Sequence, residues 1–181
     1  MTALLLVDIQ VGMDDPKWGQ RNNPGMELVC ADLLHDWRRR QWPVFHIRHD
    51  STEVDSPLRP DRAGNRIKDV VRPCAGERVI GKQVNGAFIG TDLHEQLCAK
   101  HIRRVVIVGL TTPHCVSTTA RMAGNLGYDT FVVSDATAAF PWPAHDGTVV
   151  PAEAMHFYAL AALHGEFATV VDSAGMRQIM K

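Results

Sequence analysis

Two hydrophobic rhythms alternate along the chain. Largely apolar runs at 3–7, 44–47, 105–108, 130–133 and 169–171 have the length and β-branched content of strands covered on both faces. Between them, apolar residues recur at helical spacing. Met26, Val29, Cys30, Leu33, Leu34 and Trp37 follow it, with Pro24-Gly25 ahead of them. Leu93 and Leu97 mark a helix that Thr91 is placed to cap and that runs through Lys100. Further helices are expected from about Cys115 to Leu126, with Gly127 suited to the position past the C-terminus, and from Ala152 to Leu163, ending near Gly165. A short helix closes the chain, and Arg78 to Ile80 is a short additional strand. The polar stretch His49 to Glu77, broken by Pro57, Pro60, Gly64 and Pro73, reads as a long loop. No repeat or low-complexity tract interrupts the pattern. The βαβα order predicts an α/β fold: a three-layer α/β/α, Rossmann-like arrangement on a mostly parallel sheet, as a single domain over 1–181.

Composition narrows the partners. With 181 residues, 45% apolar, 22% charged and a net charge of −1, the chain has an ordinary globular balance, and nucleic acid is not an expected partner. The basic clusters Arg38-Arg39-Arg40 and Lys100 to Arg104 read as solvated helix ends. No apolar run approaches the ~18 residues of a membrane span, so no membrane partner is expected. The initial apolar run reads as a buried strand rather than a signal peptide. Cys30, Cys74, Cys98 and Cys115 are scattered, with no CxxC pair. Neither a disulfide framework nor a zinc site is expected, and a reducing cytoplasm fits.

Open parallel sheets place their sites at the carboxyl ends of strands. Three chemically active residues fall there. Asp8 follows Leu4-Leu5-Leu6-Val7, Lys82 follows Arg78-Val79-Ile80-Gly81, and Cys115 follows the 105–108 strand after the turn Gly109-Leu110-Thr111-Thr112-Pro113-His114. A carboxylate closing an apolar strand is costly to bury alone. Beside an ammonium and a thiol it can act as general base and then general acid. Lys82 can keep Asp8 ionised and stabilise a thiolate, which the adjoining helix N-terminus is also expected to favour. Backbone N–H groups of the 110–115 turn can receive an oxyanion. Together these describe acyl transfer at a carbonyl. Cys30 and Cys98 are expected on apolar helix faces and Cys74 in a loop, without chemical roles.

These segments resemble the isochorismatase-like cysteine hydrolases, a family that includes nicotinamidases and N-carbamoylsarcosine amidase. The likeness is carried by Leu4 to Gln10, by Gly81-Lys82 with Asn85-Gly86-Ala87-Phe88 and Thr91-Asp92-Leu93, by Gly109 to Val116 with Thr118-Thr119-Ala120-Arg121, and by Asp135-Ala136. It implies an Asp-Lys-Cys triad at Asp8, Lys82 and Cys115, and a cis peptide between Leu110 and Thr111. It further implies an oxyanion hole from the N–H groups of Thr111 and Cys115. A small-molecule substrate with a C–N bond, cleaved through a thioester, follows from the same resemblance, as does a homo-oligomer. Vinyl-ether hydrolysis with Asp8 as acid, or a non-catalytic redox or binding role, are the alternatives.

Nicotinamidases of the family bind a metal through an Asp-x-His segment after the second strand. Here that segment reads His49-Asp50-Ser51, so no metal or other cofactor is expected, although His46, His49 and Asp50 could supply ligands. Pro113 stands where many relatives carry a polar residue, and the sequence gives no physical account of it. Phe88, His114, Phe140, Trp142 and Arg48 are expected to touch substrate, with Arg59 a further carboxylate binder and Asp135 an anchor for the site's backbone. Trp142 or the 152–163 helix could contact another subunit.

Overall fold

The computed structural model describes all 181 residues. Six parallel strands form the central sheet: β1 (Thr2–Val7), β2 (Val44–His49), β3 (Arg78–Lys82), β4 (Arg104–Leu110), β5 (Asp129–Ala138) and β8 (Thr169–Val171). Their spatial order is β3-β2-β1-β4-β5-β8. A small antiparallel hairpin, β6 (Trp142–Pro143) with β7 (Val149–Val150), lies outside the sheet and was not foreseen from the sequence.

Helices cover both faces, giving the α/β/α layers expected. On one face, α1 (Met26–Arg39) buries Met26, Cys30, Leu33, Leu34 and Trp37 against Leu4, Leu6, Val106 and Val108. The short α5 (Ser173–Ile179) adds Met176 to this core. On the other face, α2 (Leu93–Ala99), α3 (Ser117–Asn125) and α4 (Ala152–Ala161) pack Leu93, Leu97, Ala120, Ala123 and Leu160 against Leu5, Val7, Val105 and Ile107. The period of two along each strand divides the two cores cleanly. No helix is long and apolar enough to cross a membrane.

Several boundaries shift. α2 starts at Leu93, where Thr91 Oγ1 accepts from the Leu93 N–H at 3.5 Å while donating to the Ala87 carbonyl. β5 runs on to Ala138, because a register shift after Ile107 lets Gly109 and Leu110 pair with Thr137 and Ala138. Cys98 is exposed rather than on an apolar face; its sulfur lies near His94 and the Tyr128 hydroxyl. α4 is apolar nearly all round, yet it leaves Phe157 and Tyr158 exposed.

The order places a topological switch between β1 and β4, the position where such sheets open a crevice at their carboxyl ends. One glycine makes the crevice floor possible. Gly109 pairs with Val7 at φ +115°, and a Cβ there would meet the Val7 carbonyl oxygen at 2.0 Å.

Candidate active site

β1, β3 and the turn after β4 deliver Asp8, Lys82 and Cys115 to one point. Asp8 is the residue past β1, with φ +51°, and is fully buried. Lys82 ends β3; alternation turns it and Ile80 inward while Val79 is exposed. Its side chain is wholly buried, and its Nζ donates to Asp8 Oδ2 at 2.8 Å and to Cys115 Sγ at 3.3 Å. Cys115 lies in a wide helical turn, Thr112–Val116, that leads into α3. Its thiol donates to Asn85 Oδ1 at 3.6 Å. The peptide between Leu110 and Thr111 is cis, and the Thr111 N–H donates to no other group of the chain.

A fourth residue completes the cluster. β2 and β3 pair so that His49 lies opposite Lys82, and His49 Nδ1 is 3.0 Å from Lys82 Nζ. The ammonium has three hydrogens and three acceptors: a carboxylate, an imidazole and a sulfur. Burial, reinforced by the Lys82 charge, pushes the His49 pKa down, so the ring is neutral and its Nδ1 accepts. A buried lysine satisfied in this way is held in place. Sequence reasoning gave His49 no such part; the signal would have been the β2–β3 register, which a lone sequence does not state.

The electrostatics correct one expectation. Burial, followed by the negative charge of Asp8, pushes the Cys115 thiol well above its ordinary range, and Lys82 only partly offsets this. The resting sulfur is therefore a thiol, despite its place at a helix start. Asp8 Oδ1 supplies the complement, because it is buried and has no hydrogen-bond partner. A base oxygen without a partner and a protonated sulfur share one small space; the Asp8, His49 and Cys115 donor atoms all lie within 4.8 Å of one another.

That trio has the look of a metal-ligand set, but the Lys82 ammonium is hydrogen-bonded to all three. The nicotinamidase-like alternative does not assemble either. His46 points to the other face of β2 and meets Glu77 at 2.9 Å. Asp50 is taken by Arg48 and Asn65, and Ser51 Oγ accepts from the Glu53 N–H. These residues do not fit a metal site of that kind.

Above the sulfur opens a cavity of about 290 Å³. Met13, Trp18, Leu58, Phe140 and Trp142 form its apolar wall; Ser51, Glu53, Ser56, Asn85, Thr111 and His114 supply polar atoms. Pro113 also lines it. Trp18 is held by donating from Nε1 to the Gly12 carbonyl at 2.8 Å, and its ring lies 6.1 Å from Phe140. His114 bonds Thr111 Oγ1 through Nδ1 and meets the Trp142 ring edge-on at 4.6 Å. Gln10 is buried and clamps the floor of the loop, donating to the His49 and Asn65 carbonyls and accepting from the His49 N–H. The loop residues from 51 to 58 carried no readable motif, and nothing in the sequence pointed to Trp18 or Met13.

Four expectations fail on geometry. Phe88 lies away from the cavity, stacked on Tyr128 at 6.0 Å against the core beneath α2 and α3. Arg48 falls on the opposite face of β2 from His49, where it pairs with Asp50 at 2.8 Å; Arg59 pairs with Asp61 on the exposed loop. Asp135 accepts from the Ser173 N–H and hydroxyl, at 2.8 and 2.7 Å, so it ties β5 to α5 and not to the site.

The family model for the isochorismatase domain matches residues 2–175. The chain belongs to the isochorismatase family. It is 48% identical over 171 residues to the isochorismatase family protein YrdC of Bacillus subtilis, covering 94% of this chain and 91% of that one. An isochorismatase-family crystal structure from Chromobacterium violaceum superposes with a TM-score of 0.93 at 43% identity, over 97% of this chain and 91% of that one. Streptothricin hydrolase of Streptomyces noursei is 30% identical over 179 residues, covering 96% of this chain and 69% of its own. The protein is thus an isochorismatase-family hydrolase.

Proposed function

We propose that this isochorismatase-family protein is a cysteine amidohydrolase that cleaves a C–N bond of a small molecule through a thioester on Cys115. The observation that carries this is the buried, unpartnered Asp8 Oδ1 beside the Cys115 sulfur, with the Lys82 ammonium hydrogen-bonded to both residues. Relatives named streptothricin hydrolase and nicotinamidase are consistent with it.

The chemistry follows from the atoms present. Asp8 Oδ1 takes the Sγ–H proton as the sulfur attacks the substrate carbonyl carbon, and the C=O π pair moves onto oxygen. The oxyanion is received by the N–H groups of Thr111 and Cys115. The intermediate collapses, the C–N bond breaks, and the leaving nitrogen takes the proton back from Asp8. Water then attacks the thioester, giving its proton to Asp8; the C–S bond breaks and the thiol reforms. Lys82 remains an ammonium throughout. It stabilises the developing thiolate through the 3.3 Å contact and holds Asp8 by Oδ2 alone, leaving Oδ1 to work. His49 acts through Lys82 and is a positioning residue. His114, Phe140 and Trp142 contact the substrate, and the exposed Phe157 and Tyr158 of α4 support a homo-oligomer in which a second copy covers them.

The test is ammonia or amine release from a panel of small amides, ureido compounds and hydrazides by the wild-type protein and Cys115→Ala. Release by the first and not the second is expected. Equal turnover by both, or release of pyruvate from isochorismate undiminished in Cys115→Ala, would refute the thiol route.

A further inference from the structure

Building on Cys115 as the nucleophile under this cavity, we propose that the cavity selects neutral or cationic substrates against anionic ones and that the Glu53 carboxylate sets this preference. Two formally charged carboxylates line the space, Asp8 and Glu53, and no arginine or lysine does. Asp8 is matched from behind by Lys82. Glu53 forms no ion pair; its backbone N–H donates to Ser51 Oγ, and its exposed side chain stands at the cavity's edge with the carboxylate free.

The nearby arginines are paired elsewhere. Arg48 is bound to Asp50 and Arg59 to Asp61. Lys17 has no carboxylate partner; it lies over the Trp18 ring at 4.6 Å and donates to the Asp55 carbonyl, but does not itself line the cavity. The two lining histidines add no positive charge, because burial pushes both His49 and His114 toward the neutral form.

A carboxylate entering here would lose hydration, meet no lysine or arginine in the lining and face a like charge. An ammonium would meet Glu53 and the aromatic side chains of Phe140 and Trp142, rings that attract a cation. The substrate class that fits is a small amide, neutral or carrying an amine, with an apolar or aromatic portion. Dicarboxylates and ureido acids do not fit.

The thiol itself can report the field, without knowledge of the substrate. Cys115 would be labelled with three methanethiosulfonates: the cationic trimethylammonioethyl, the anionic sulfonatoethyl and the neutral methyl reagent. Each rate would be divided by that reagent's rate with free cysteine. Peptide mass spectrometry separates Cys115 from the exposed Cys74 and Cys98. At low ionic strength the corrected cation-to-anion ratio should be about tenfold, shrink with added salt, fall toward one in Glu53→Gln and invert in Glu53→Lys. A ratio near one in the wild type, a ratio unmoved by Glu53→Gln, or no labelling of Cys115 by either charged reagent would overturn the proposal. A silent amide panel with the tenfold ratio intact would break the amidohydrolase reading alone. An active panel with no charge preference would break only the selection by Glu53.

Discussion

Strand β2 carries two histidines into two ionic clusters, one on each face, and the clusters are built to different ends. On one face His46 meets Glu77, whose carboxylate also accepts from Arg38 Nε at 2.7 Å, Arg38 Nη2 at 2.8 Å and the Cys74 N–H at 2.9 Å. Both Glu77 oxygens are used, and the cluster pins the end of the long loop to α1. On the other face His49 meets Lys82, which meets Asp8 and Cys115. There one carboxylate oxygen, Asp8 Oδ1, is left without a partner beneath a cavity. His46 Nδ1 is also unpaired, but it lies away from that cavity. The same residue types form a clamp when saturated and, in the mechanism proposed, a reagent when one acceptor stays free.

The comparison breaks most visibly at the sulfur. Cys115→Ala should reduce turnover of the best amide by at least about 10³-fold, measured as amine release. Next comes the ion pair. Lys82→Met strands a buried carboxylate and should abolish activity while costing about 3–5 kcal/mol in urea denaturation. The double variant Asp8→Asn/Lys82→Met should recover most of that stability and none of the activity. If it stays as unstable as Lys82→Met, the pair is not what holds the site.

His49→Leu removes the third acceptor from the ammonium. kcat should fall about 10- to 100-fold with KM changed by less than about threefold, and His49→Asn, which keeps an acceptor, should regain part of the loss. A KM effect alone would mean that His49 binds substrate instead. Trp142→Ala should raise KM several-fold, while Phe88→Ala should leave KM unchanged and lower stability by about 1–3 kcal/mol.

The smallest effect belongs to the saturated cluster. Burial alone would raise the Glu77 pKa, but Arg38, the Cys74 N–H and His46 outweigh it and hold the carboxyl at about 2, against an ordinary 4.5. A depressed carboxyl contributes stability that is complete above the ordinary value and is lost as pH falls toward the folded one. Stability should therefore decline between pH 4.5 and 2, and Glu77→Gln should flatten that decline with activity near neutrality unchanged. A slope identical in both proteins would remove Glu77 from the acid limb.

Strand and helix order was legible because burial on both faces of a parallel sheet leaves largely apolar runs. The convergence of Asp8, Lys82 and Cys115 was legible because each ends or follows a strand on the same edge of the sheet. What escaped depends on pairing and pleat. The face on which Arg48 falls, and the approach of His49 to Lys82, are decided by the β2–β3 register. Phe88 was misassigned because adjacency to Lys82 in sequence says nothing about the direction taken after β3. The protonation of Cys115 was misread because a helix start was weighed without the burial around it. Glu53 and Trp18 reach the cavity from irregular segments, where neither rhythm operates.

The central claim, that Cys115 carries the acyl group, is tested most directly by partitioning. Two amides sharing one acyl group but differing in leaving amine would be hydrolysed in the presence of hydroxylamine. A thioester common to both predicts the same ratio of hydroxamate to acid whatever the amine. A ratio that follows the leaving amine would place water or hydroxylamine on the substrate itself and contradict the account.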